Sequence, residues 1–293
     1  MKRNKSFKVG LDRPRLIGAL KVLGVVCVFT GVGVGTLFIN KYLKRTAPAR
    51  QKGIIIDLAD VPAWVNDQLK DKVYTAVGVD SGRLKLDENT AIAAQQNIAA
   101  SVAWLDDVRV QTTHEGLRIE GRWREPVAIV RFGPRKFYVD ARLVVLDFVP
   151  IQRLPVVEAK GLSQVTEMPQ VGEVWQRDDL AAAVAILVRL GQMDKLVTSD
   201  KPLLYEIDSI DVSNFNGKKS ARLPHIVLYS KDGTEIIWGA EIGNWTQHLE
   251  ATDEEKLAKL YGYYKEYGSL QGRAKYINLR DPQDRVPLPV DKY

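Results

Sequence analysis

From Val22 to Ile39 the chain reads VLGVVCVFTGVGVGTLFI, 18 residues without a charge. At about 1.5 Å per residue such a helix covers roughly 27 Å, close to the ~30 Å of a hydrocarbon core. Leu16 to Leu20 extend the run, and Lys21 can snorkel toward the interface. A buried core helix is the alternative, but Gly24, Thr30, Gly31, Gly33 and Gly35 make a poor soluble helix. A cleaved signal peptide is another, since Ala47-Pro48-Ala49 mimics a cleavage site. Against it, the apolar run exceeds the usual ~7–15 residues, and Lys41, Lys44 and Arg45 intervene. The pattern predicts a basic tail over 1–21, a transmembrane helix over 22–40 and a basic linker over 41–52.

Downstream, the periodicity switches between helix and strand. Ile54 to Leu58 reads as a strand and Ala63 to Leu69 as a short helix, with Pro62 tolerated in its first turn. Asp87 is an N-cap for a helix from Glu88 to about Leu105, with Ile92, Ile98, Ala99, Val102 and Leu105 as its apolar stripe. The period then becomes two. Val108 and Val110 alternate with Arg109 and Gln111, Glu115-Gly116 turns the chain, and Leu117, Ile119 and Trp123 alternate with charged residues. Pro126 precedes a further strand, Val127 to Phe132. The order strand, helix, helix, strand, strand predicts a sheet with one face covered by two helices.

The second half repeats these signals. LAAAVAILVRLG after Asp179 is a helix, with Leu180, Val184, Leu187 and Leu190 on one face and Gly191 as its stop. Leu203 to Val212 alternates as a strand. His225 to Tyr229 and Glu235 to Trp238 form a hairpin around Asp232-Gly233. Thr252-x-x-Glu255 is a capping box opening a helix whose Leu257, Leu260, Tyr261 and Tyr264 are spaced for burial. Tyr261, Tyr263, Tyr264 and Tyr267 are read as packing residues rather than an aromatic binding face. Lys275 to Arg280 is the last strand.

Charge changes the picture only at one end. The net charge is +6, but residues 1–52 hold 12 Lys and Arg against one acid, Asp12. The remaining 241 residues carry 30 basic and 35 acidic side chains, a net of −5. A mildly acidic folded part argues against polyphosphate binding, which scales with the phosphates neutralised. Seven basic residues precede the apolar span and five follow it, which favours an N-terminus inside and export of the rest. One cysteine, Cys27, and three histidines exclude an intramolecular disulfide and a Cys/His zinc cluster.

Four short segments carry a family resemblance. Ala103-Trp104-Leu105-Asp106-Asp107-Val108-Arg109-Val110 resembles the P-W-V-x-x-A-x-V segment after the second helix of a POTRA module. Leu117-Arg118-Ile119 with Arg124-Glu125-Pro126-Val127-Ala128 resembles the hairpin L-x-I-x-V-x-E-R-x-P-V-A. Phe137 to Val145 is similar to L-V-D-x-x-G-x-V-F, and Leu154-Pro155-Val156-Val157 with Gly161 to the closing L-P-x-L-x-G. In this order behind one apolar span, they resemble the FtsQ/DivIB family of bacterial cell-division proteins. Two departures stand out: Ala103 replaces the usual proline, and Ala141-Arg142 the usual glycine turn.

The resemblance implies an α+β fold: one N-terminal transmembrane helix, a POTRA module over 53–133, and a β domain over 134–293 with a largely antiparallel sheet. It implies a non-enzymatic divisome scaffold in the cell inner membrane, N-terminus cytoplasmic and C-terminal domains periplasmic, enriched at the septum. Its partners would be FtsB/FtsL-type division proteins, recruited by strand addition at the last strand, so Tyr276, Ile277, Asn278, Leu279 and Arg280 are the expected partner-binding residues. After Arg280 the sequence leaves the family pattern, and Pro282, Pro287 and Pro289 would stop the strand.

No catalytic, cofactor-binding or metal-ligating residues are expected. His114, His225 and His248 lack a nucleophile or second ligand at useful local spacing, and adjacent carboxylates such as Asp106-Asp107 do not face one another on a strand. A POTRA-bearing envelope protein of a secretion or assembly system and an anchored hydrolase remain alternative readings.

Overall fold

Two N-caps start the helical layer of the first part. Asn66 accepts from the Leu69 N–H at 3.0 Å and opens α1, Asp67–Val77, whose Leu69, Val73 and Val77 share one buried face. This helix begins four residues after the predicted start, because Pro62 to Val65 forms a turn of its own. Asp87 accepts from the Thr90 N–H at 2.8 Å and opens α2 at Glu88 as expected, but the helix ends at Ser101, and Leu105, expected in it, begins a strand. The buried face of α2 is Ala91, Ala94 and Ile98, whereas Ile92 points to solvent. Two small alanines with Ile98, rather than Ile92, mark the buried face.

The computed structural model describes residues 55–78, 87–114, 116–163, 167–272 and 274–282. The transmembrane segment expected over 22–40, its tail and its linker lie outside the described residues. Among the described residues no helix is long and apolar enough to cross a membrane.

The architecture is mixed α+β with two sheets in one compact unit. In the smaller sheet β1, Ile55–Leu58, runs parallel to β3, Gly116–Trp123, and β3 antiparallel to β2, Leu105–Thr112. The order β1-α1-α2-β2-β3 is the one the periodicity predicts. The next strand, β4, Pro126–Phe132, was expected beside these three but pairs in the larger sheet. There it lies between β5, Arg135–Asp140, and β7, Val157–Lys160. Pro126 stands at the start of the strand, where a missing N–H is tolerated.

The larger sheet has eight strands in the order β11-β10-β9-β8-β7-β4-β5-β6, with β6 at Val145–Asp147, β8 at Ile207–Asp211, β9 at Ile226–Ser230, β10 at Glu235–Gly239 and β11 at Tyr276–Asn278. It is mixed rather than largely antiparallel: β4 with β7, β7 with β8, and β10 with β11 are parallel. Parallel neighbours need a crossover. Two helices supply it, α3, Asp178–Val197, between β7 and β8, and α4, Asp253–Tyr267, between β10 and β11. Both bury their apolar stripes in one cluster with Val130, Ala159, Leu228, Ile236 and Ile277.

The opposite face of β5 and β6 joins the first layer. Tyr138 and Leu146 pack with Trp104, Leu69 and Ile98 in a second cluster, and Trp104 Nε1 donates to Asp147 Oδ1 at 3.0 Å. The turn after β5 closes without glycine. Asp140 Oδ1 accepts from the Arg142 and Val144 N–H groups, both at 2.8 Å, and Leu143 takes the left-handed φ of 64°. Two further expectations shift. Gly191 lies inside α3, facing Leu204, and does not end the helix; Leu203 to Glu206 is a 3-10 turn, so the strand begins at Ile207.

Candidate partner-binding strand edge

β11 forms because Ile277 and Leu279, two residues apart, both bury fully against α4 and the sheet. Tyr276, between Lys275 and Ile277, remains 37% exposed. The strand ends in a side-chain turn: Asn278 Oδ1 accepts from the Arg280 N–H at 3.0 Å, and Asn278 Nδ2 donates to Asp281 Oδ2 at 2.9 Å.

Backbone polarity divides the five expected residues. Glu235 N–H donates to Lys275 C=O at 3.1 Å and Leu279 N–H to Ile237 C=O at 3.0 Å. With Ile277 opposite Ile236, the parallel register turns the N–H and C=O of Ile277 toward β10 as well. Tyr276 and Asn278 therefore aim their backbone groups away from the sheet. Among the described residues no strand lies beyond them. At Arg280 the edge closes, because the Ala251 N–H donates to the Arg280 C=O at 2.7 Å. The open edge is thus a two-residue opening, Tyr276 and Asn278, in a five-residue segment.

A buried ion cluster holds that closed end. Glu250 Oε2 accepts from Lys256 Nζ at 2.7 Å and from the Ala240 N–H at 2.9 Å, while Oε1 accepts from Arg280 Nε at 2.9 Å. Lys256 is fully buried and lies 5.5 Å from the centroid of the Trp238 ring. Burial opposes the charge on Glu250, but Lys256, the Ala240 N–H and Arg280 together hold its carboxyl below the ordinary range. Gly239 makes room for this carboxylate: a Cβ there would sit 2.2 Å from Glu250 Oε2. On α4, Lys259 Nζ donates to the Asp281 C=O.

Beside the cluster stand two histidines that lie 23 positions apart in sequence. The rings of His225, just before β9, and His248, in the turn Trp245–His248, are 4.5 Å apart at 78°. His225 Nδ1 and Glu241 Oε2 are both buried without a hydrogen-bond partner. Burial first, and the neighbouring His248 second, push the His225 pKa down. Sequence spacing could not reveal this pair, because pairing of β9 with β10 and the turn after β10 create it. Among the described residues no three His, Cys, Asp or Glu side chains are grouped to hold a metal.

Elsewhere, a cavity of about 520 Å³ opens between α3 and the start of β4, with Leu154, Leu187, Pro202 and Tyr205 in its walls. Its buried carboxylate, Asp194, is already engaged by the Leu203 and Leu204 N–H groups and the Thr198 and Tyr261 hydroxyls. The adjacent carboxylates Asp106 and Asp107 share Arg122 as an ion-pair partner. Asp106 also binds Arg124 at 2.8 Å and pairs with Arg142, whereas Asp107, 3.4 Å from Arg122, is exposed.

Fold and edge together describe a mixed α+β protein with one short, partly open strand at the rim of its larger sheet. No family model and no curated protein matches the chain.

Proposed function

We propose that the protein is a non-enzymatic, single-pass membrane scaffold of the bacterial cell-division machinery, of the FtsQ/DivIB type, that recruits FtsB/FtsL-type partners outside the cytoplasm. The observation that carries this reading is the edge at Tyr276 and Asn278, whose outward N–H and C=O groups can take a partner strand by β-addition. The apolar span of 22–39 supports confinement to a membrane, and the β1-α1-α2-β2-β3 order supports a POTRA-type module behind it. Backbone pairing gives affinity without a required side chain, so the divergence after Arg280 leaves the mode intact. The half-buried Tyr229 and Ile237 and the exposed Tyr276 offer apolar contact for alternate residues of an added strand.

The test is an N-terminal fluorescent fusion imaged in dividing cells, with and without depletion of the native chain. A band at the division site, with filaments or blocked division on depletion, is the expected outcome. Uniform envelope signal with normal division would remove the scaffold reading and direct attention to secretion or assembly partners.

A further inference from the structure

We propose that His225 and His248 form an acid-sensitive latch on the segment that closes the partner-binding edge at Arg280. The proposal rests on the reading of β11 as a docking edge, and adds a means of regulating it.

The segment from Trp245 to Ala251 is short and self-braced: Glu250 N–H donates to the Trp245 C=O at 3.1 Å and Leu249 N–H to the Thr246 C=O at 3.3 Å. One end carries His248 against His225. The other end carries the two ties to the edge strand, Glu250 to Arg280 and the Ala251 N–H to the Arg280 C=O. Whatever displaces His248 from His225 therefore pulls on the closed end of β11.

The charged groups that face His225 come from each packed element: His248 from the 3-10 turn, Glu241 from the chain leaving β10, Glu250 from the approach to α4, and Arg280 from the end of β11. Glu250 is already committed to Lys256 and Arg280. Glu241 receives the Asn244 amide on Oε1 and holds Oε2 buried and unpartnered. Behind the ring, the space next to Nε2 is bounded by Gly217. Glu241 and Glu250 attract a proton on His225, but burial, the second imidazole and Arg280 outweigh them, and Nδ1 has no acceptor in the closed arrangement.

The sign follows from linkage. Closure lowers the affinity of His225 for a proton, so the open segment, with the His225 ring in water, takes up the proton first. The latch is fully closed above the ordinary imidazole range near about 6.5 and weakens as pH falls below it. On the extracytoplasmic side proposed above, the latch would meet the pH of the surroundings directly.

The experiment is amide hydrogen exchange on the full chain in detergent from pH 7.5 to 5.5, with each rate corrected for the intrinsic pH dependence of exchange. Protection of the Ala251 and Leu279 amides is expected to fall by up to about tenfold per pH unit between the open-state and closed-state pKa values, while β4 and β5 stay unchanged. In His225→Gln, which cannot take up the proton, protection stays flat over the same range. Equal falls in both chains, or none in either, overturn the latch. Should His225→Gln fail to fold, direct titration of the His225 ring in the native chain decides, and a pKa at or above about 6.5 overturns it. Because exchange is read without a partner, a working latch in a chain that never reaches the division site stands while the docking reading falls. Flat protection in a chain that does localise removes the latch alone.

Discussion

Several single side chains carry charge into the interior of this protein where a partner of opposite charge or converging donors meet them. Lys256 is the extreme case, fully buried with Glu250 as its partner and Trp238 beneath it. Lys256→Met should destabilise the full chain by about 3 kcal/mol, because it strips a buried carboxylate of its closest cation. Combining it with Glu250→Gln should recover part of that loss, since no lone carboxylate stays buried. Thermal unfolding of the two variants measures both effects. Asp179 shows the same logic at the start of α3. Burial works against its charge, but Arg177 and the N–H and hydroxyl of Ser163 outweigh burial and hold the carboxyl down to about 2. A depressed carboxyl contributes stability above its unfolded pKa near about 3.9 and loses it as pH falls toward 2. Asp179→Asn should cost about 2 kcal/mol at pH 7 and almost nothing at pH 2. Acid unfolding midpoints of the variant and the parent chain check this.

At the scale of the element, β11 separates two substitutions that look equivalent in sequence. Ile277 turns its N–H toward β10, so Ile277→Pro breaks the native ladder and should destabilise the chain by about 3 kcal/mol or more. Asn278 turns its N–H outward, so Asn278→Pro should leave a folded protein that no longer co-purifies with its FtsB-type partner. Circular dichroism with co-purification reads both outcomes; full partner recovery by folded Asn278→Pro sinks strand addition at this edge. Elements with a strong local signal were legible before the fold: the Asp87 cap, the Thr252 to Glu255 capping box, the hairpin around Asp232-Gly233 and the last strand within Lys275 to Arg280. Where local and tertiary signals compete, the second prevailed. Gly191 is a helix stop by propensity, yet Leu204 packs over it and α3 continues to Val197. Ile92 belongs to an apolar stripe by residue type, yet the buried face is Ala91, Ala94 and Ile98.

Across the whole molecule, Trp104 ties the two sheets. It is fully buried, stacks edge-on to Tyr138 of β5 at 5.7 Å and donates to Asp147 of β6. Trp104→Ala should cost about 3–5 kcal/mol. The loss should appear as one cooperative shift, because its cluster contains residues of both sheets. Calorimetry that resolved two separate transitions would contradict this coupling. The sequence alone determined the Asp87 and Thr252 helix caps, the strand periodicity, the apolar span and the concentration of basic charge at one end, since each is encoded by neighbours within a few residues. Only the tertiary structure decided that β4 leaves its hairpin neighbours for the larger sheet and that three of its pairings are parallel, two of them across helical crossovers. The same holds for the opening at Tyr276 and Asn278 with its closure at Arg280, and for the meeting of His225 with His248. Those outcomes depend on which backbone groups and side chains long loops bring together, and no local period records them.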